Sequence, residues 1–412
     1  RKLFRFNYRA KVRNSSNLGL AALLYKTSID FLVIDKKERF CWHGESLLYH
    51  ARSQTSFLKD LVTPIDPTHP LSFLSYLHNH GLLYVFLSRN ITNVYRKEME
   101  NYYVWCCNKI REEKDNIRFS TEVIGLHDCG KYFRVDTSKE VFKAKNLVVG
   151  LGIEPIVIEE LHSNKNVIHS SQYLDYKNRG LLNDKKISIV GGSQSGAEIL
   201  NDIIDSNISK DVSLYSRRIN MKALQETSFD NELYNPSFVR YFTDLPDARK
   251  DDLLKNEIYT SDGITQNLLD ELYNKIYSLK FVDNIDIDVN IYCSHNLRSI
   301  TEKGGSLELF FEDINLGVDT YVYSDIAILC IGYRNKAFDF LENIQYTRKH
   351  RKVFLDVSNN KKIYIQNGFR RTFGLGDSNL SLSAYRNSMI INDILGYDKY
   401  KVHHEKILSY SY

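Results

Sequence analysis

Several features that would point to other protein classes are missing from this sequence. No apolar run approaches the roughly 18 residues that a membrane span needs. The six cysteines have no framework spacing and form no CxxC pair, so we expect a reduced, cytoplasmic protein rather than a disulfide scaffold. The formal charge of +4 is small for 412 residues and does not favour a nucleic-acid partner.

Other absences concern domain order, processing and metals. Only six prolines occur, and no repeat or low-complexity linker interrupts the chain, so we expect interwoven domains, two or three for this length. No signal-peptide pattern is expected, and a chain that begins at Arg1 is expected to be a fragment. No HxH, HExxH or clustered-carboxylate motif predicts a metal site, and His403 and His404 are expected at the surface.

Short apolar segments followed by glycine or an acid dominate what is present. They read as buried strands at residues 31–35, 146–150, 186–190, 212–215 and 324–330, with the clearest helix at 195–204. Such strands, each followed by a turn and a helix, predict parallel α/β sheets. Residues 246–280 are expected to be helical, and residues 284–312 alternate in the manner of antiparallel strands.

The motif richest in chemistry is GGSQSG at residues 191–196, between the strand at 186–190 and the helix after it. Its glycines allow a tight turn and a close approach to a pyrophosphate, and the helix N-terminus supplies free N–H donors. We therefore predict cofactor contacts from the six residues of the turn, Gly191, Gly192, Ser193, Gln194, Ser195 and Gly196. A strand, turn and helix without a ligand is the alternative.

The next strand ends in a basic pair, Arg217 and Arg218, rather than in an acid. An acid there would suit the free ribose hydroxyls of NAD, whereas arginines suit a 2′-phosphate. The pair therefore predicts NADPH, and a solvated turn is the alternative.

Several blocks, taken in order, resemble the microbial N-hydroxylating monooxygenases that act on ornithine, lysine and diamines. The resemblance extends over nearly the whole chain, from about residue 16 to residue 397. It is carried by WHG (42–44), QTSFLKDL (54–61), RKEMENYYVW (96–105), GLGIEP (150–155), HSSQY (169–173), GGSQSGAE (191–198), TSFDNE with Asn235 and Pro236 (227–236) and GLGDSNLSLSAYR (374–386).

The resemblance implies an α/β fold with two Rossmann-like dinucleotide-binding domains and a small helical substrate region. FAD would bind a domain formed by residues 1–156 and 331–412, NADPH an inserted domain at 157–330, and the substrate a helical region at 225–280. It implies cofactors FAD and NADPH, a small amine and O2 as partners, and a homo-tetramer or dimer. NADPH would reduce FAD, and a C4a-hydroperoxyflavin would hydroxylate a neutral amine for siderophore synthesis.

The same resemblance implies individual roles. Gln54 would pack against the flavin ring, Lys59 would pair with the substrate carboxylate, and Asn231 would hold the substrate amine or carboxylate. The residues near both flavin and amine would be Leu380 and Ser381. Further flavin contacts are expected from Asn17, Asp35, Trp42, His43 and Asp377.

The substrate segment YTSDGI (259–264), which includes Ser261, resembles the lysine and diamine hydroxylases more than the ornithine enzymes. The expected reaction is therefore hydroxylation of the terminal amine of lysine or a short diamine, with ornithine as the alternative. Among other flavoenzymes, a disulfide reductase lacks support because no CxxxxC pair occurs, and the block at 54–61 disfavours a Baeyer–Villiger or general flavin monooxygenase.

The N-terminal flavin fingerprint, usually GxGxGPSNLxLA, departs from the family. NLGLAA (17–22) fits its end, but Ala10, Val12 and Asn14 stand where the glycines belong, and Ser15 stands for the proline. Side chains there should collide with the FAD pyrophosphate. A flavin-deficient, non-catalytic remnant of the family is therefore the second hypothesis beside the active enzyme.

Overall fold

The structure is a computed structural model that describes residues 2–6, 15–42, 47–150, 152–158, 164–283, 285, 287–335, 344–348, 354–357, 359–402 and 407–409. The strands are β1 (Lys2–Phe6), β2 (Phe31–Ile34), β3 (Ile117–Arg118), β4 (Val123–Asp128), β5 (Phe133–Thr137), β6 (Val141–Ala144), β7 (Asn146–Gly150), β8 (Ile153–Pro155), β9 (Val167–His169), β10 (Ile187–Val190), β11 (Asp211–Tyr215), β12 (Asp288–Tyr292), β13 (His295–Lys303), β14 (Ser306–Asp313), β15 (Val318–Ser324), β16 (Ile326–Leu329), β17 (Tyr333–Asn335), β18 (Thr347–Arg348), β19 (Phe354–Val357) and β20 (Lys361–Ile365).

The helices are α1 (Ser15–Leu24), α2 (Phe73–Asn79), α3 (Leu83–Leu87), α4 (Arg96–Lys114), α5 (Tyr173–Asn178), α6 (Gln194–Asp205), α7 (Ser228–Asn231), α8 (Pro236–Asp244), α9 (Asp247–Asn256), α10 (Tyr259–Asp262), α11 (Gln266–Tyr277), α12 (Arg370–Phe373) and α13 (Ser383–Leu395). Short 3-10 turns at Gly374–Ser378 and Leu380–Leu382 join α12 to α13.

Two sheets organise the chain. The larger has seven strands in the order β18-β19-β20-β7-β1-β2-β3, drawn from both ends of the chain, and we call the part built around it the terminal domain. The second has five strands in the order β12-β11-β10-β16-β9, and we call the part built around it the inserted domain. The antiparallel pair β8 and β17 lies where the chain leaves and re-enters the terminal domain. This arrangement confirms the predicted α/β class with two Rossmann-like domains.

The central strands form because both of their faces are covered. β7, β10 and β16 are buried at every residue, which is the pattern of parallel strands packed between layers. α6 covers one face of the five-stranded sheet with Ile199, Leu200 and Ile203, and the hairpin sheet of β13, β14 and β15 packs on the other face. α1 is buried at all ten of its residues, between the seven-stranded sheet, α4 and α13.

The predicted helical stretch at residues 246–280 contains α9, α10 and α11. The expectation for residues 284–312 was wrong in part. β13 and β14 are antiparallel, but β12 pairs in parallel with β11. β12 is the edge strand of its sheet, and an edge strand with one exposed side shows the same alternation as a strand in a hairpin.

Candidate active site

The glycine turn after β10 is tight because two of its glycines leave no room for a side chain. Gly191 has φ +127°, and a Cβ there would lie 2.4 Å from the carbonyl oxygen of Cys330. A Cβ on Gly196 would lie 2.1 Å from the carbonyl oxygen of Gly191. The first turn of α6 therefore packs directly on the end of β10, as the predicted dinucleotide turn requires.

The N-terminus of α6 faces this turn without a side-chain cap. Ser193 precedes the helix, but its hydroxyl donates to the Cys330 carbonyl at 3.4 Å instead of capping the helix. Ser195 lies half-buried in the first turn. The first N–H groups of α6 and the helix dipole thus fit an anionic pyrophosphate.

The two arginines after β11 occupy different environments. Arg217 is exposed, whereas Arg218 is half-buried. Nη1 of Arg218 donates to the carbonyls of Gly192 (3.4 Å) and Asp262 (3.2 Å), and its guanidinium lies 5.1 Å from the centre of the Tyr259 ring. Arg218 therefore braces the glycine turn, and Arg217 is the arginine whose side chain is available to a 2′-phosphate.

The corresponding segment of the terminal domain connects β1 to α1. Ala10, Val12 and Asn14 fall outside the described residues, and Ser15 is the first residue of α1. Asn17 is fully buried. The start of α1 is held to the C-terminal helix, since Nδ2 of Asn387 donates to the Ser16 carbonyl at 3.0 Å.

Asp35 directly follows β2, next to β1 in the sheet. One carboxylate oxygen accepts from the Lys37 N–H at 2.9 Å, and burial raises the pKa of this carboxyl. The side chain borders a narrow, mostly apolar recess whose walls include Val33, Phe40 and Phe119. An acid at the end of the second strand, beside an apolar recess, fits the ribose and adenine of a dinucleotide.

A buried polar cluster lies beside the start of α1. Arg386, 1% exposed, donates from Nη1 to Asn367 (2.7 Å) and Asp377 (3.1 Å), while its Nε and Nη2 have no acceptor among the described residues. Asn367 also reaches the hydroxyl of Ser16 at 3.5 Å. Buried donors without acceptors are costly unless a ligand satisfies them. The cluster therefore fits an oxygen-rich group such as FAD.

Trp42 and Gln54, two predicted flavin contacts, differ in their exposure to solvent. Trp42 is buried, with its ring edge-on to Tyr103 at 5.0 Å between ring centres, and its backbone N–H donates to Oε1 of Glu100 at 3.3 Å. Gln54 has an exposed side chain on a backbone fixed by the buried neighbours Ser53 and Thr55. His43 lies outside the described residues.

Lys59 is held by a rigid turn. The adjacent Asp60, 3% exposed, accepts hydrogen bonds from the N–H groups of Val62, Thr63 and Phe73 and from the Thr63 hydroxyl, at 2.6–2.9 Å. The Lys59 side chain is half-buried, and its ammonium makes no hydrogen bond or ion pair with the described part of the chain. Burial lowers the pKa of Lys59. A half-buried cation of this kind would gain from an anionic ligand.

The helical region carries the other predicted substrate residues. Asn231, exposed at the end of α7, donates from Nδ2 to the carbonyls of Glu226 (3.2 Å) and Thr227 (3.1 Å), which orients its amide. The Ser261 hydroxyl bonds within its own helix, to the Ile258 carbonyl and to Asp262, both at 3.1 Å. The Ser261 hydroxyl is thus satisfied within its own segment. That segment is linked to the glycine turn because Arg218 donates to the carbonyls of both Asp262 and Gly192.

The C-terminal segment joins these pieces. Leu375 packs with Tyr234, Phe238 and Phe242 in one buried cluster. Leu380 is half-buried and packs against the core beneath α1, and the N–H of the half-buried Ser381 donates to Asn379 at 2.9 Å. The predicted substrate region, the C-terminal segment and α1 are therefore adjacent.

The predicted site residues thus form three groups. The glycine turn, Arg217, Arg218 and the segment of Ser261 lie together in the inserted domain. Asn17, Asp35 and Asp377 surround the start of α1. The Lys59 block packs nearby, because Leu61 lies 3.4 Å from the Cβ position of Gly19 in α1. Within the described residues, Lys59, Asn231 and Ser381 make no hydrogen bond with one another.

Two polar groups received no role from the sequence. Arg386 closes the block GLGDSNLSLSAYR, and the presence of its ion-pair partner Asp377 in the same block was the available signal. The other is an ion pair between Arg96, which begins the block at 96–105, and Glu198, which ends the block at 191–198.

Among the described residues, no cluster of His, Cys, Asp or Glu could hold a metal ion, and His403 and His404 fall outside them. In the same residues no helix has the length and apolarity to cross a membrane.

Comparison with known proteins agrees with this geometry. A family model described as L-lysine 6-monooxygenase/L-ornithine 5-monooxygenase matches residues 14–335. The L-lysine N6-monooxygenase of Escherichia coli is 30% identical, over 93% of this chain and 92% of that protein. A putrescine N-hydroxylase of Acinetobacter baumannii is 28% identical, over 96% and 90%.

Among solved structures, the FAD-bound cadaverine monooxygenase of the desferrioxamine pathway from Erwinia amylovora is 26% identical. It superimposes with a TM-score of 0.87, over 100% of this chain and 99% of that one. These matches confirm the resemblance drawn from the sequence blocks. The chain belongs to the L-lysine 6-monooxygenase/L-ornithine 5-monooxygenase family and is an N-hydroxylating monooxygenase.

Proposed function

We propose that this enzyme hydroxylates the terminal amine of L-lysine or a short diamine, with FAD, NADPH and O2, to supply a hydroxamate siderophore. Family membership supports the redox chemistry and both cofactors. The choice of substrate rests on one observation. The ammonium of Lys59 is half-buried on a rigid turn and has no hydrogen-bond or ion-pair partner among the described residues.

A substrate carboxylate would satisfy Lys59. An amino acid offers that carboxylate and a diamine does not, so the ion pair would favour lysine over cadaverine. Asn231 would then bind the polar end of the substrate, with its amide already oriented by two backbone carbonyls.

Bound FAD, once reduced by NADPH, would activate O2, one atom of which would be transferred to the amine while the other leaves as water. The chain's own residues bind, orient and exclude water. Gln54 would lie against the flavin ring, and Leu380 would present an apolar surface near the amine. Ser381, whose backbone is fixed by Asn379, would hold the amine in reach. A dry site also favours the neutral amine, because burial disfavours its charged form.

We assign FAD to residues 1–156 and 331–412, NADPH to residues 157–330 and the substrate to the helical region 225–280. The glycine turn before α6 and the polar cluster around Arg386 support this division. We also propose a cytoplasmic location, supported by six free cysteines, and a homo-tetramer or dimer, supported only by the family resemblance and measurable by light scattering.

A panel of lysine, ornithine, cadaverine and putrescine tests the substrate. Purified enzyme with added FAD and NADPH should give the most hydroxylamine from lysine. Ornithine, one methylene shorter, should be at least about tenfold poorer in kcat/KM. If ornithine is the best substrate, the interpretation of Ser261 and its segment is wrong, and if cadaverine is best, Lys59 is not a carboxylate ligand.

A flavin-deficient enzyme is the second candidate, and one observation favours it. Ala10, Val12 and Asn14 replace glycines in the FAD fingerprint. The absorption spectrum of the purified protein separates the two candidates, since a stoichiometric flavin spectrum is expected only from the first.

A further inference from the structure

A bidentate ion pair joins the two domains. Arg96 is the first residue of α4 in the terminal domain, and Glu198 lies in α6 of the inserted domain. Nη2 and Nη1 of Arg96 donate to Oε1 and Oε2 of Glu198 at 2.9 and 3.0 Å. The two side chains are only 13% and 9% exposed, so the pair is largely shielded from water.

A shielded, forked pair of this kind fixes geometry more than it adds stability. Removing two charges from water is costly, and their attraction roughly compensates for that cost only in one alignment. The pair therefore favours a single relative position of α4 and α6.

Both partners continue into the regions assigned to the cofactors. Glu198 also accepts from Nε2 of Gln194 at 2.8 Å, and Oε1 of Gln194 accepts from the Thr265 N–H at 2.9 Å. Gln194 belongs to the glycine turn. On the other side, Nε of Arg96 donates to the Arg52 carbonyl at 3.1 Å, two residues before Gln54.

A continuous chain of hydrogen bonds thus runs from the segment of Gln54, through Arg96 and Glu198, to the turn assigned to NADPH. Neither Arg96 nor Glu198 is among the residues expected to touch a cofactor, so both act through others. Flavin reduction moves one hydride from NADPH to FAD and leaves NADP+. Its rate depends steeply on the distance and angle between the two rings, since a misplacement of about 1 Å can cost on the order of a hundredfold.

We propose that Arg96 and Glu198 are positioning residues that hold the NADPH turn at the distance and angle needed for flavin reduction. The proposal rests on the proposed function in one respect, that NADPH reduces FAD in this enzyme. Loss of the pair should slow hydride transfer far more than it weakens NADP+ binding, because the glycine turn, α6 and Arg217 remain intact.

The test compares Glu198→Gln with Asp202→Asn, a matched control one turn further along α6. Asp202 pairs with Lys177 inside the inserted domain, with side chains 21% and 24% exposed, so its loss breaks a comparable pair that does not cross the domains. Arg96→Lys keeps the charge but loses the fork, and the double variant Arg96→Glu/Glu198→Arg restores a pair of reversed polarity. Thermal unfolding shows first which variants fold.

The first readout is the rate of flavin reduction by NADPH in FAD-saturated protein, followed anaerobically, alongside the NADP+ dissociation constant from calorimetry. We expect Glu198→Gln to reduce at least about tenfold more slowly, with less than about a threefold change in NADP+ affinity. Arg96→Lys should fall between it and wild type, the reversed pair should recover part of the rate, and Asp202→Asn should match wild type. The proposal would be overturned if the flavin of Glu198→Gln and of Arg96→Lys were reduced as fast as that of Asp202→Asn. It would also be overturned if the reduction rate and the NADP+ affinity fell by equal factors.

The second readout needs no cofactor. Spin labels on Cys129 in the terminal domain, which is exposed, and Cys293 in the inserted domain, which is half-exposed, report the distance between the domains in a Cys41→Ser background. Glu198→Gln should broaden that distance distribution and Asp202→Asn should not. If wild-type protein with FAD is not reduced by NADPH, the proposed function fails, and the spin-label distances alone decide whether the pair fixes the domains. If wild type is reduced and the distances do not change, the positioning role is wrong.

Discussion

The two strand–helix units that the sequence predicts to bind dinucleotides are both buried in their domains, but the sequences that join strand to helix differ where a pyrophosphate would approach. In the inserted domain, Gly191 and Gly196 lie where any Cβ would come within 2.4 Å of a backbone oxygen. In the terminal domain, the positions that resemblance assigns to glycine hold Ala10, Val12 and Asn14. Yet α1 is buried at all ten residues and is tied to α13. Apolar packing therefore fixes the strand and helix of such a unit, whereas a few separate residues between them determine whether a ligand can approach.

The largest effect should come from repairing the terminal turn. We expect the unmodified chain to purify with little FAD. The variant with Ala10, Val12 and Asn14 changed to glycine and Ser15→Pro should bind FAD at least about 100-fold more tightly, since each removed clash is worth about 1–3 kcal/mol. Ser15 begins α1, where proline is well tolerated. Fluorescence titration of the apoprotein with FAD measures the change.

NADP+ affinity serves as the control for that experiment, because the inserted domain is untouched and should bind equally in both proteins. A stoichiometric flavin spectrum from the unmodified chain would contradict the prediction. The pyrophosphate would then be held by contacts other than a glycine turn.

Lys59 lies in the terminal domain. Replacing it tests whether that domain binds the substrate carboxylate. Lys59→Ala should raise the KM for lysine about 30-fold, because truncating one partner of a buried charge pair costs about 2 kcal/mol or more. The KM for cadaverine should change by no more than about twofold. The matched control is Lys109→Ala, which removes a half-exposed lysine of α4. Equal responses of lysine and cadaverine would remove Lys59 from the carboxylate site.

The same residue predicts a pH dependence. Burial lowers the pKa of Lys59, so the ammonium loses its proton at a lower pH than an ordinary lysine does. As the pH rises through that value, the KM for lysine should increase, while the KM for cadaverine should not. Lys59→Arg keeps its charge throughout and should shift the increase to higher pH. A lysine KM that stays flat in wild type up to alkaline pH would show that the lowered pKa has no role in binding.

One glycine in each of the two helices, Gly196 in α6 and Gly19 in α1, tests how tightly each helix packs on its sheet. Gly196→Ala should lower the free energy of unfolding by about 1–3 kcal/mol and weaken NADP+, because its Cβ would meet a backbone oxygen at 2.1 Å. In α1, a Cβ on Gly19 would meet Nδ2 of Asn387 at 3.0 Å and both the side chain and the carbonyl oxygen of Leu61 at 3.4 Å, so these neighbours need to shift by only a few tenths of an ångström.

The gain in helix propensity, about 1 kcal/mol, should largely offset the strain at Gly19. Thermal unfolding of the two single variants measures the difference. If Gly19→Ala is as destabilising as Gly196→Ala, α1 is packed as tightly in the terminal domain as α6 is in the inserted domain, and the two domains do not differ in this respect.

The sequence predicted those parts of the molecule that local chemistry determines. β7, β10 and β16 are buried on both faces and so appear as apolar runs, and the glycine turn appears as a motif. Pairings across the chain were not predictable. Arg96 and Glu198 are 102 residues apart, and only the folded arrangement brings them together. The edge position of β12 is likewise a property of the sheet and not of its own residues.

The smallest expected effect separates two adjacent arginines that sequence alone could not distinguish. Arg217→Ala should weaken NADPH about tenfold, since an exposed charge-assisted bond to the 2′-phosphate is worth about 1.5 kcal/mol, and should leave NADH nearly unchanged. Arg218 binds the carbonyls of Gly192 and Asp262, so Arg218→Ala should loosen the turn and weaken NADPH and NADH by similar factors of a few. Steady-state KM values for both cofactors measure the two variants side by side. Should Arg218→Ala alone change the ratio of NADPH to NADH, the phosphate is bound by the half-buried arginine, and the turn of the inserted domain rearranges when the cofactor binds.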